Sequence, residues 1–163
     1  MTIAEIATWI ETLPVPTAIR EAGVLFPWIE SIHVVGATLV FGFVSIIDFR
    51  LIGVLSKDQA VSKVTDEMVP WVWVAFAISL VTGLLLFSSA ATQYLGNVPF
   101  LCKMGLLLTA GFNMLVFHVL TYKGVARWDV ALTPPMTARI AGGASILLWM
   151  AVITFGRWIG FTL

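Results

Sequence analysis

A small set of ionisable side chains lies inside or at the edges of long apolar runs of this sequence. The run over residues 28–53, WIESIHVVGATLVFGFVSIIDFRLIG, carries Glu30 and His33 near one end and Asp48 and Arg50 near the other. Lys103, His118, Arg139 and Arg157 occupy comparable positions further along the chain. Imidazole and amine nitrogens can ligate a metal, carboxyls and imidazoles can carry protons, and guanidinium groups can pair with anions. Such groups are expensive at membrane depth and persist where they face a protein interior or a cavity. Glu30 and His33 are spaced i,i+3 and share a helical face, so Glu30 is placed to orient the His33 ring through its second nitrogen.

Composition says what must position these groups. Hydrophobic residues make up 60% of the 163 and charged residues 11%, against about 25% charged in a soluble domain. The excess apolar surface requires lipid. Nine basic residues balance nine acidic ones, so no basic surface for nucleic acid is indicated. The lone Cys102 excludes an intrachain disulfide and a multi-cysteine metal site. No phosphate loop, dinucleotide fingerprint or nucleophile elbow is present.

The pattern predicts an all-α fold: a single membrane domain over residues 1–163, built as a four-helix up-down bundle with a short N-terminal amphipathic helix on the membrane interface. Ile3, Ile6, Ala7, Ile10 and Leu13 form one stripe of that helix, over about 2–13, and Thr2 with Glu5 has capping-box spacing. Pro14 and Pro16 are expected to end it. The N-terminus does not read as a signal peptide, because Glu5 and Glu11 precede any long apolar run. Spans are expected at about 26–52, 69–92, 99–122 and 137–161, each meeting the ~20 residues a bilayer requires. The second should open at Pro70, with Trp71 and Trp73 at an aromatic belt. A turn over 93–99 should precede the third, and Pro134-Pro135 should break the chain before the fourth. Gly36, Gly42, Gly105, Gly111, Gly142 and Gly143 are candidates for close helix approach. Lys57, Lys63, Lys123 and Arg127 gather on the first and third connections, so the positive-inside rule places both termini outside.

Depth sorts the polar groups into two layers. His33 lies roughly 10 Å into the first span, whereas His118 lies roughly 27 Å along the third, which starts from the same side. One iron cannot bridge that separation within a protomer. The outer layer therefore holds Glu30, His33, Lys103 and Arg157, and the inner layer holds Asp48, Arg50, His118 and Arg139. Lys103, Ala110, Met114 and His118 share a stripe of the third helix that is suited to the bundle centre. Plainer roles exist for each. His33 can bond a neighbouring carbonyl or Glu30, Lys103 and Arg157 can snorkel, Arg50 can anchor the span and pair with Asp48, His118 can bond Asp48, and Asn113 can join helices.

Ile32-His33, Gly36, Leu39, Gly42 and Asp48-Phe49-Arg50-Leu51 resemble the first helix of a superfamily of small bacterial four-helix membrane proteins, which includes the CopD-type and HemJ-type families. Phe100-Leu101-Cys102-Lys103, Leu106-Leu107, Asn113 and Val116-Phe117-His118 resemble an uncharacterised family within it. The resemblance covers two of four helices. It implies location in the bacterial inner membrane and a haem b bound by a first-helix histidine and a third-helix lysine, which fall on His33 and Lys103. Phe49 stands where the HemJ motif has proline, and the tyrosine and histidine flanking that motif are missing, so protoporphyrinogen oxidation does not transfer. Copper import does not transfer either.

Three functions then compete. The first is a b-type haem protein with His33 as iron ligand, Lys103 as second ligand or propionate partner, Glu30 orienting His33 and Arg157 pairing with a propionate, and with a quinone or redox protein as its electron partner. The second is a haem-free scaffold or anchor subunit. The third is a small transporter relaying through Glu30, His33 and Lys103, for which four helices are few unless the chain forms a homo-oligomer.

Overall fold

The computed structural model describes residues 2–163, and all regular elements among them are helical. Helix α1, Ile3–Glu11, begins with the expected capping box: the Glu5 backbone N–H donates to Thr2 Oγ1 at 3.2 Å, and the Thr2 N–H donates to the Glu5 carboxylate at 2.9 Å. Ala7 is buried while Ile3, Ile6 and Trp9 stay exposed, which leaves an apolar edge for lipid. Pro14 does not simply end the helical region. It opens a second short helix, α2, Pro14–Glu21, because a first-turn proline loses no intrahelical bond and has its φ already set.

The four long helices α3 (Leu25–Ile52), α4 (Val61–Ser89), α6 (Val98–Val116) and α7 (Met136–Thr162), with α6 running on in a tighter and looser coil to Arg127, supply four stretches long and apolar enough to cross a membrane. The chain is thus a multi-pass, all-α membrane bundle. Helix α3 ends at Gly53, whose φ of +82° suits the left-handed cap that glycine adopts freely. Helix α4 starts at Val61, well ahead of the expected 69, and Pro70 lies inside it. Val61, Val64 and Thr65 pack inward on this extra segment. Its start is capped from a distant loop: the Asp129 carboxylate accepts from Ser62 N and Ser62 Oγ, both at 2.7 Å. Lys63, Asp66 and Glu67, all exposed, lower the hydropathy of this segment below that of a span. Trp71 and Trp73 consequently lie well within the helix rather than at its start.

The connection expected as a turn is a short helix, α5, Ala91–Gly96. Asn97 then caps α6 through its side-chain oxygen, at 3.0 Å from Phe100 N, and its amide nitrogen donates to Thr162 Oγ1 at 2.9 Å, joining the start of α6 to the end of α7. Helix α3 packs on both α4 and α7, and α6 packs on α7; α4 and α6 do not pack closely together. Of the glycines expected at helix crossings, two serve. A Cβ at Gly36 would stand 2.6 Å from Ser79 Oγ, and one at Gly142 would stand 3.0 Å from the Asp48 carbonyl oxygen. Gly42, Gly105, Gly111 and Gly143 have no neighbour within 4 Å of that position and face open space instead.

Candidate functional site

His33 projects from α3 in the half of the bundle that carries the termini. Its Nδ1 lies 2.9 Å from the Ser79 carbonyl oxygen and 3.2 Å from Thr82 Oγ1, both on α4. A carbonyl only accepts, so Nδ1 carries the proton. The Thr82 hydroxyl already donates to the Ile78 carbonyl at 2.7 Å, so toward the ring it too is an acceptor. The lone pair is thereby assigned to Nε2. Lys103 Nζ on α6 stands 3.3 Å from that Nε2. Glycines make room on either side. A Cβ at Gly83 would approach His33 Cε1 to 3.0 Å, and one at Gly156 of α7 would meet Lys103 Nζ at 3.4 Å. All four spans thus contribute to one small polar centre, whose two principal members are only half-buried.

The other members expected in this layer are elsewhere. Glu30 does not orient the His33 ring; the Ser79 carbonyl and Thr82 hydroxyl take that role. Glu30 is exposed, and its charge acts on Tyr94 of α5, whose phenol is held above its ordinary value first by burial and then by that carboxylate. One helical turn separates Glu30 from His33, and the imidazole turns toward α4 while the carboxylate stays at the rim. Arg157 is exposed as well, with its guanidinium 4.8 Å from the centroid of the Phe161 ring. It is occupied by a cation–π contact one turn along its own helix.

The second layer is not one cluster either. Arg50 is fully buried and clamps the connections: its Nε donates to the Gln59 carbonyl at 2.8 Å, and its Nη2 donates to the carbonyls of Asp129 and Ala131 at 3.2 Å each. It forms no ion pair with Asp48, since the two lie i,i+2 and point to different faces. Asp48 is buried toward α7, where the Ser145 hydroxyl hydrogen-bonds it. His118 is exposed and bonds the Met114 carbonyl of its own helix at 2.9 Å, not Asp48. The coil widens to a π-turn over Phe117–Thr121, and that change of register buries Phe117 and turns His118 outward. Met114 is exposed too, so the stripe from Lys103 faces the centre only as far as Ala110. Arg139 is exposed at the start of α7. Asn113 does join helices, donating to the Ala141 carbonyl at 3.0 Å.

Ser79, Thr82, Gly83 and Gly156 were not singled out by sequence, although Ser79 and Thr82, spaced i,i+3 and followed by glycine in an apolar span, carried a readable signal. Among the described residues no group of three or more His, Cys, Asp or Glu side chains could hold a metal ion. What the centre offers is a pair: one imidazole nitrogen with an assigned lone pair, and one amine. No curated protein and no solved structure matches the chain. A family of unknown function, DUF6644, matches over residues 8–162, nearly the whole chain, and the protein belongs to that family.

Proposed function

We propose that the protein is a b-type haem-binding electron-transfer or redox subunit of the bacterial inner membrane, in which His33 and Lys103 would hold the group. The observation that carries this reading is the assigned Nε2 lone pair of His33 facing the Lys103 amine across the bundle. A bare metal ion needs three or four protein ligands, and two nitrogens without a third donor suit a metal that brings its own equatorial ligands. A haem iron does so. The donor chemistry therefore fits, while the room left by Gly83 and Gly156 is taken by the His33 ring and the Lys103 arm, which a macrocycle would have to displace. The two nitrogens are in direct contact at 3.3 Å, so the four-carbon arm of Lys103 would have to swing back for both to hold an iron.

The bound group would supply one-electron chemistry. The chain's own residues do the rest: the Ser79 carbonyl fixes the His33 tautomer, Lys103 brings its amine to the Nε2 side of the ring, and the apolar spans limit water. A lipid-soluble quinone or a partner redox protein would exchange the electron. The distribution of lysine and arginine favours both termini on the outer side.

Absorption spectroscopy of detergent-purified protein, expressed with ample haem precursor, tests the reading. A Soret band is expected, abolished by His33→Ala and shifted in position or intensity by Lys103→Ala. A colourless wild-type preparation under those conditions overturns it. A haem-free scaffold is the second reading, favoured by the direct His33–Lys103 hydrogen bond, which already joins α3 and α6.

A further inference from the structure

Asp48 has no part in the centre above. It is 5% exposed, and its Oδ2 is sealed from solvent without a hydrogen-bond partner. The hydroxyl of Ser45, one turn earlier on the same face of α3, is sealed and unpartnered in the same way. Ser145 of α7 hydrogen-bonds the carboxyl. Gly142, one turn before Ser145, is where α3 and α7 come nearest, with the Asp48 carbonyl oxygen 3.0 Å from a Cβ built there.

No cation faces this carboxyl. Arg50 is turned to the carbonyls of Gln59, Asp129 and Ala131. Lys63, Asp66 and Glu67 on α4, His118 beyond α6 and Arg139 on α7 are all exposed. Among the described residues no ion pair reaches Asp48 within 4 Å; the one between described side chains joins Lys63 and Glu67. A buried carboxylate that lacks both a cation and part of its hydrogen bonding is a costly state, and the neutral acid costs much less. Three occupants could relieve it: a small cation, a water or a proton. The first two need space, and a water site needs several polar partners around it. The free oxygens of Asp48 and Ser45 offer no surface to a water-sized sphere. A proton needs no cavity.

We propose that Asp48 is a proton-binding site on the seam between α3 and α7, independent of any cofactor. The carboxyl takes one proton from water at the end of the bundle carrying the 53–60 connection, holds it on Oδ2 while the seam is closed, and returns it to that water when the seam opens. No electron moves, and the only bond made and broken is O–H. Ser45, one helical turn back, offers an oxygen that is likewise unpartnered, and Ser145 hydrogen-bonds the carboxyl from α7.

Infrared spectroscopy of the full-length protein in lipid, with the aspartate carboxyl carbons isotopically labelled, reads this state directly. At neutral pH a protonated-acid C=O stretch is expected that moves with the label and shifts in heavy water. Asp48→Asn should remove it, and Ser145→Ala should keep it at higher frequency because one hydrogen bond is lost. Only ionised-carboxylate bands at neutral pH overturn the proposal, as does an acid band unchanged in Asp48→Asn. An acid band that appears only after sodium and potassium are removed overturns it in favour of a cation site. Should Asp48→Asn fail to accumulate, the label and Ser145→Ala decide the matter in the wild-type background: an acid band that Ser145→Ala leaves unmoved counts against Asp48.

Discussion

Lys103 Nζ and His33 Nε2, seventy residues apart in sequence, stand 3.3 Å from each other, with the opposite ring nitrogen of His33 held by the Ser79 carbonyl. Position and tautomer are therefore set by different helices: α6 brings the amine, and α4 decides which imidazole nitrogen meets it. This division makes the centre sensitive to changes that touch neither nitrogen.

Gly83 is the sharpest of these. A Cβ there would lie 3.0 Å from His33 Cε1, so Gly83→Val forces the ring away from Lys103. Overpacking of this kind costs about 1–3 kcal/mol. The expected result is a lowered thermal midpoint and, if haem binds, a weakened Soret band. Gly105→Val, where a Cβ has no neighbour within 4 Å, should leave both measurements close to wild type.

Arg50 joins three chain segments through the carbonyls of Gln59, Asp129 and Ala131, of which that of Asp129 also accepts from the Val61 N–H at 2.9 Å. Hydrogen bonds to a charged donor contribute about 1.5–3 kcal/mol each when net effects are measured. Arg50→Met should lower stability by about 3 kcal/mol or more, and should expose the 128–135 connection to protease. Arg50→Lys should recover only part of the loss, since an ammonium cannot reproduce the fork geometry of guanidinium. Thermal unfolding followed through the thiol reactivity of Cys102, half-buried in the fold, measures both.

At the other end, Glu11 accepts from the Thr92 backbone N–H at 2.7 Å and from the Thr92 hydroxyl at 2.8 Å. These bonds, the backbone one foremost, hold its carboxyl below the ordinary value. A depressed folded-state pKa contributes stability that is complete above the unfolded value and is lost as pH falls through the folded one. Hydrogen exchange over residues 3–21 should therefore show protection, relative to Glu11→Gln, that is present at about pH 7 and gone by about pH 3. Equal protection of wild type and variant at both pH values would contradict the assignment.

Asp129 follows the same sign. The Ser62 backbone N–H, above all, holds its carboxyl below the ordinary value. Asp129→Asn should fray the first turns of α4 at neutral pH and remove the acid-induced fraying expected of the wild type. Exchange rates over residues 61–68 check this.

The four spans were legible because apolar runs of membrane length leave little choice of fold, and α3 and α7 lie within a residue or two of their expected limits. The start of α4 was not legible. Its first turns are charged on one side and are capped by Asp129, a partner sixty-seven residues away. The His33–Lys103 pairing was legible from depth alone, since both lie at similar distances from one side. Their surroundings were not. Which carbonyl would hold the imidazole depends on how α3 and α4 rotate against each other, and hydropathy does not report rotation. The outward turn of His118 was hidden for a related reason: a π-turn breaks the hundred-degree step on which stripe arguments depend.

The neighbour relations among the spans also bear on how the chain is made. Among the described residues α6 finds close packing with only one other span, α7, which follows it in the chain. During vectorial synthesis α3 and α4 can dock as a hairpin at once, while α6 must wait in lipid for its main packing partner until α7 has emerged. Stopping translation ahead of residue 136 should therefore release an ordered first hairpin followed by a third helix held to it by little more than the Lys103–His33 contact.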